Sequence, residues 1–137
     1  MKRIVLDTNV VLSFLIDRDP QQQADAAHLF AAAAAGDHTL ILHQTVITEM
    51  VYVLRNLYKV EKARIAEILA DVLALPGITP VDEVAWALLL DLWPENVSDF
   101  TDAVLAAVTT QHRYDAVATF DGPFTRQLKK QGVPVFW

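Results

Sequence analysis

Ile4-Val5-Leu6-Asp7-Thr8-Asn9-Val10-Val11-Leu12 is the stretch that decides how this chain is read. Three apolar β-formers run into a carboxylate, two small polar residues follow, and a helical apolar pattern begins behind them. The stretch therefore reads as a buried strand, a tight turn and a helix. Asp7 then sits at the carboxyl end of the strand, where open α/β sheets bind their ligands. Read alone, it is equally a cap for the helix behind it, because Asp, Thr and Asn all favour that position.

Strands and helices alternate outward from there. Pro20 to Ala35, rich in alanine and ended by Gly36, reads as a helix, since alanine is the best helix former, proline suits a first turn and glycine a stop. Thr39–Leu42 is a short strand, and His43 to Tyr58 a helix whose apolar stripe includes Val46, Met50, Val53, Leu54 and Leu57. Glu61 to Leu75 is a further amphipathic helix stopped by Pro76-Gly77, and Ile78–Val81 a short strand. Asp82, as N-cap, opens a helix that runs to Trp93, and Ser98 caps another from Asp99 to His112. Ala103, Ala106 and Ala107 make that second helix slim enough to lie close to a sheet. Ala116 to Phe120 is a strand ending at Asp121, Phe124 to Gln131 the last helix, and Val133 to Phe136 a terminal strand placed at an edge by Pro134. The alternation implies an α/β fold with a mainly parallel sheet and helices on both faces, in a single domain over residues 1–137. The helical hairpin from about 44 to 75 exceeds a simple crossover and reads as a projecting arm.

With 53% hydrophobic and 20% charged residues, long disorder is excluded. The absence of cysteine removes a disulfide frame and a thiolate zinc site, and fits a reducing cytosol. The three apolar residues before Asp7 are too few for a signal peptide, and no apolar run approaches the roughly 18 residues that span a bilayer. A soluble cytoplasmic protein with no membrane partner is expected. The net charge of -6 speaks against a nucleic-acid binder. It does not decide the matter, because carboxylates that collect a divalent metal do not repel a phosphate once the metal is bound.

Asp121 repeats the placement of Asp7, an apolar strand running into an aspartate and then a turn. Two parallel strands ending this way put two carboxylates on one rim of the sheet. Asp102 and Glu49 each lie about one turn inside a helix that can start at that rim, so four carboxylates can converge. Such a cluster is costly without a cation. Hard oxygen ligands without His or Cys point to Mg²⁺ or Mn²⁺. A metal so held activates water and steadies charge on a phosphoryl group, which suggests phosphodiester hydrolysis.

Asp7-Thr8-Asn9 after an apolar strand, Glu49 in Thr48-Glu49-Met50-Val51-Tyr52-Val53-Leu54, Asp102 in Asp102-Ala103-Val104-Leu105-Ala106-Ala107, and Thr119-Phe120-Asp121 followed by Phe124 resemble the four motifs of PIN domains. They are similar above all to those of the VapC-type toxins of bacterial and archaeal toxin–antitoxin pairs, whose length this chain shares. The resemblance runs from residue 3 to about 136, and its strength lies in four motifs in order, none specific alone. It implies a three-layer α/β/α sandwich and a Mg²⁺- or Mn²⁺-dependent endoribonuclease with an RNA substrate, an antitoxin partner and a homodimeric state. Carried over by position, Asp7, Glu49, Asp102 and Asp121 are the acidic set. Asp7 and Asp102 would hold metal directly, Asp121 directly or through water, and Glu49 would bind or orient the attacking water. Thr8, Asn9 and Thr119 would support them. Asp99, three residues before Asp102, is either a helper of the site or a favourable charge in the first turn of its helix.

Other residues read more plainly. His28, His38, His43 and His112 lack ligand spacing and take structural or surface roles. Arg55, Lys59, Lys62 and Arg64 cluster at the hairpin turn, and Arg126, Lys129 and Lys130 follow Asp121; each group is either a phosphate contact or a solvated face. Tyr52, Tyr58, Trp86 and Trp93 belong to the core or to a surface for a second subunit or an antitoxin helix. Competing functions are a PIN-type RNA-processing nuclease without antitoxin and a non-catalytic binding module of the same fold, whose mark would be a lost carboxylate. A haloacid-dehalogenase-like phosphatase wants a second Asp where Asn9 stands, and a receiver domain wants paired acids early in the chain.

Overall fold

A computed structural model describes all 137 residues. The opening stretch folds as read: strand β1 (Lys2–Leu6) leads through Asp7 into helix α1 (Thr8–Leu15). Asp19 then accepts a hydrogen bond from the Gln22 amide at 3.0 Å and, with Pro20 in the first turn, starts α2 (Pro20–Ala34). Strand β2 (His38–His43) enters α3 (Gln44–Asn56), which turns back as α4 (Lys62–Ala74) before β3 (Ile78–Val81). Helices α5 (Trp86–Leu92) and α6 (Phe100–Gln111), strand β4 (Ala116–Ala118) and α7 (Gly122–Lys130) complete the chain.

The four strands form one wholly parallel sheet in the order β3-β2-β1-β4. Ile4, Val5 and Leu6 are all fully buried although successive side chains of a strand point to opposite faces. Helices therefore cover both faces of β1, the arrangement of a three-layer α/β/α protein. Parallel pairing of β1 with β4 (Ile4 opposite Ala116, Leu6 opposite Ala118) brings the ends of these strands to one rim. The alanine-rich apolar face of α6, with Ala103 through Val108 buried, is what lets that helix lie against the sheet.

Several boundaries differ from the reading of the sequence, each for a tertiary reason. The helix expected from Asp82 starts only at Trp86, with Ala85 at its N-cap and no side-chain cap. The preceding segment is held extended because the Glu83 carbonyl lies 2.7 Å from His43 Nε2 and its carboxylate 3.1 Å from His112 Nε2. Ser98 does not cap α6, since its carbonyl accepts from Trp93 Nε1 and its hydroxyl from Gln127; Asp99 does, accepting from the Asp102 amide at 3.0 Å. The hairpin of α3 and α4 is no free arm, because Ile65 and Val72 of α4 belong to the core. The terminal strand shrinks to one parallel bridge, Val135 to Val117, at the β4 edge. No helix is long and apolar enough to cross a membrane.

Candidate active site

At the rim shared by β1 and β4, Asp7 is fixed on three sides. Its amide donates to the Ala118 carbonyl at 2.9 Å, Oδ1 accepts from the Thr8 amide at 2.7 Å, and Oδ2 accepts from the Thr119 hydroxyl at 2.6 Å. Thr119 Oγ1 in turn accepts from the Asp121 amide at 3.0 Å and from Asn9 Nδ2 at 3.5 Å, while Asn9 Oδ1 accepts from the Phe120 amide at 3.2 Å. Thr119 and Asn9 thus lock the loop after β4 to the start of α1.

Asp7, Glu49, Asp102 and Asp121 line one cleft of about 330 Å³, together with Thr8, Asn9, Asp99 and Arg18 and an apolar wall of Leu12, Val53 and Leu57. Three of the acids are N-caps: Asp7 of α1, Asp99 of α6 and Asp121 of α7, the last accepting from the Phe124 amide at 2.8 Å. Asp102 lies in the first turn of α6. Helix N-termini carry partial positive charge, which offsets part of the cost of gathering so many carboxylates. As placed, the cleft gathers them without closing any three around one point.

The electrostatics register the crowding. Burial raises the Asp7 carboxyl to about 6 against the opposing hydrogen bonds from Thr119 and Thr8, with Glu49 and Asp121 adding repulsion. Burial, then Asp7, Asp99, Asp121 and Glu49, push Asp102 up to about 8. Glu49 is also raised, by burial first and then by Asp99, with Thr101 opposing. These are the marks of a site whose charge asks for a cation. The Thr8 hydroxyl is buried and makes no hydrogen bond, although it stands toward Glu49 closely enough to favour the charged form slightly. An all-oxygen donor set with an orphaned buried hydroxyl fits a hard divalent cation such as Mg²⁺ or Mn²⁺.

Two charged lining residues escaped the reading of the core set. Asp99 stands outside that set because an acid in the first turn of a helix is favourable on its own account, and its capping bond holds it at the rim. Arg18 gave no signal, because a charge in Asp17-Arg18-Asp19-Pro20 reads as a solvated loop. None of the four histidines lines the cleft; His43 instead caps α3, its Nδ1 accepting from the Thr45 amide at 3.0 Å. The basic residues of the hairpin turn and of α7 also lie outside it. Tyr52 and Trp86 are more than 60% exposed, so they stand on the surface and not in the core (68% and 62%).

The arrangement has relatives. A model of the PIN domain family matches residues 3–122, a span that takes in all four acids. No curated protein sequence matches this chain. Among solved structures, it is similar to Mycobacterium tuberculosis VapC20, a toxin that cleaves the sarcin-ricin loop, at 20% identity and a TM-score of 0.66 over 90% of this chain and 93% of that one. It is also similar to VapBC2 from Rickettsia felis, bound to a DNA fragment from its promoter, at 16% identity and a TM-score of 0.63 over 90% of this chain and 92% of that one. The PIN domain endonuclease Utp24 superposes with a TM-score of 0.57 at 16% identity, covering 97% of this chain and 82% of that one. At these identities the likenesses speak for the fold, and the family match runs over most of the chain: it belongs to the PIN domain family.

Proposed function

We propose that this PIN domain is a Mg²⁺- or Mn²⁺-dependent endoribonuclease that hydrolyses RNA phosphodiester bonds, and that it is the toxin of a type II toxin–antitoxin pair acting in the cytoplasm. The observation that carries the reading is the Asp7 carboxylate, buried, pinned by Thr119, and crowded by Glu49, Asp102 and Asp121 beside an unsatisfied Thr8 hydroxyl. Asp7 and Asp102 would hold the cation directly and Asp121 directly or through water. The cation supplies a Lewis acid for the phosphoryl oxygens and lowers the pKa of water. Glu49, half-buried in α3 and raised above its ordinary value by burial, orients the attacking water and takes its proton. Thr8, Asn9 and Thr119 keep the acids in place.

The likeness to VapC20 and to the VapBC2 complex supports an antitoxin partner, and we propose a homodimer as the toxin's working state. The likeness to Utp24 supports a second reading, an RNA-processing nuclease with no antitoxin. Cleavage of a pool of structured RNAs with Mg²⁺, Mn²⁺ or EDTA, alongside Asp7→Asn and Asp102→Asn, tests the chemistry. Cutting should require metal and both aspartates; wild-type cutting in EDTA or by either variant would overturn the assignment. Growth arrest on expression, lost in Asp7→Asn, separates the toxin from the processing enzyme.

A further inference from the structure

Arg18 is the one basic residue among those lining the acidic cleft. A guanidinium beside five carboxylates would ordinarily pair with one of them, because bidentate Arg–carboxylate contacts are among the strongest polar contacts available. Arg18 pairs with none: the ion pairs of the chain are Arg64 with Glu67 and His112 with Glu83. Neutral oxygens hold it instead. Nε donates to the Ser13 hydroxyl at 3.2 Å and Nη2 to the Asn9 carbonyl at 3.1 Å. Ser13 is fully buried and itself donates to Gln22 Oε1 at 3.3 Å, so the anchor reaches into the first turn of α2. The guanidinium is therefore held in place, exposed and uncommitted at Nη1.

We infer that Arg18 binds an RNA phosphate flanking the scissile bond, so that it is the substrate-positioning cation of the cleft. The inference rests on the nuclease reading above. An RNA backbone entering a cleft of carboxylates is repelled wherever the cation does not neutralise them, and a fixed guanidinium at the edge supplies the missing attraction. Its anchoring by uncharged groups leaves that attraction unspent. The competing role, a pin between the end of α1 and the start of α2, needs the same two hydrogen bonds but no ligand.

Binding of a fluorescent single-stranded RNA to the full chain, with Ca²⁺ in place of Mg²⁺ and over a range of salt, distinguishes the two. Arg18→Ala should weaken binding about tenfold and lower the slope of log affinity on log salt by about 0.7. Arg18→Lys should retain the slope and lose less affinity. Mn²⁺ binding should stay near wild type in both, while the thermal midpoint of Arg18→Ala should fall only by the loss of its two hydrogen bonds to Ser13 and Asn9. Wild-type RNA affinity and slope in Arg18→Ala, in a protein whose parent binds and cuts RNA, would overturn the inference alone. A drop in thermal midpoint and Mn²⁺ binding with an unchanged slope would assign the pin role and overturn it too. A parent that neither binds nor cuts RNA would remove the nuclease reading together with it.

Discussion

Asp7 and Asp102 hold their protons more tightly folded than unfolded, and the sign of the consequence is fixed. With folded values of about 6 and about 8 against an ordinary 3.8, the folded protein binds more protons than the unfolded one between those limits, so stability falls as pH rises through the window. The metal-free protein should accordingly melt at a lower temperature at pH 9 than at pH 5. Asp102 makes no side-chain hydrogen bond that Asn would break, so Asp102→Asn should relieve the loss. After discounting for solvent screening at this partly exposed group, we expect a gain of about 1 to 2 kcal/mol at pH 9 and little at pH 5, read by urea unfolding at both. Thr119→Val removes the donor to Asp7 Oδ2 and strands the Asp121 amide, at a cost of about 1 to 3 kcal/mol and a weaker Mn²⁺ affinity by titration. Asp7 was legible because strand, acid and small polar residues lie side by side in sequence. Arg18 was not, since its place in the cleft comes from bonds to Asn9 and Ser13 that no local pattern announces.

Element boundaries show the same division. Helices α2 and α3 were readable from alanine content and apolar stripe, because propensity and burial point the same way there. The start of α5 was not: Asp82 has the chemistry of a cap, but contacts from His43 and His112 hold Glu83 outside the helix. At α6 two capping residues stood in tandem, and Ser98 lost because its own groups serve Trp93 and Gln127. Asp99 then has two opposed effects, starting α6 and raising Glu49 and Asp102. Asp99→Ala should lose about 1 kcal/mol at pH 5, with a smaller loss at pH 9 where the removed repulsion compensates; equal losses at both would show that the charge is fully screened. The turn into β3 is constrained differently. Gly77 has φ +82° and a Cβ there would meet the Ala33 carbonyl oxygen at 2.7 Å, a backbone atom that cannot swing aside. Gly77→Ala should cost about 1 to 3 kcal/mol, measured by chemical denaturation.

For the whole molecule, the parallel order β3-β2-β1-β4 puts the first and last strands of the sheet next to one another, and so joins acids 114 residues apart, Asp7 and Asp121, at one rim. Sequence order alone implied the layers, while the adjacency of β1 and β4 rests on burial of Ile4, Val5 and Leu6 between neighbouring strands. A cation that binds only the folded cleft must stabilise the entire chain by mass action. At a hundredfold excess over its dissociation constant, Mn²⁺ should add about 2.7 kcal/mol and raise the melting point by several degrees, and Asp7→Asn should abolish the rise. That three of the cleft's acids are also the residues that begin α1, α6 and α7 bears on how such a protein can change. Asparagine begins a helix as well as aspartate does, whereas alanine does not. A lineage giving up this acidic cleft would thus find its cheapest exits in single-base changes to asparagine at positions 7, 99 and 121. Three of the cleft's five charges could disappear in this way while every helix still started where it does now, and the change at position 7 alone would leave a folded descendant without its buried carboxylate.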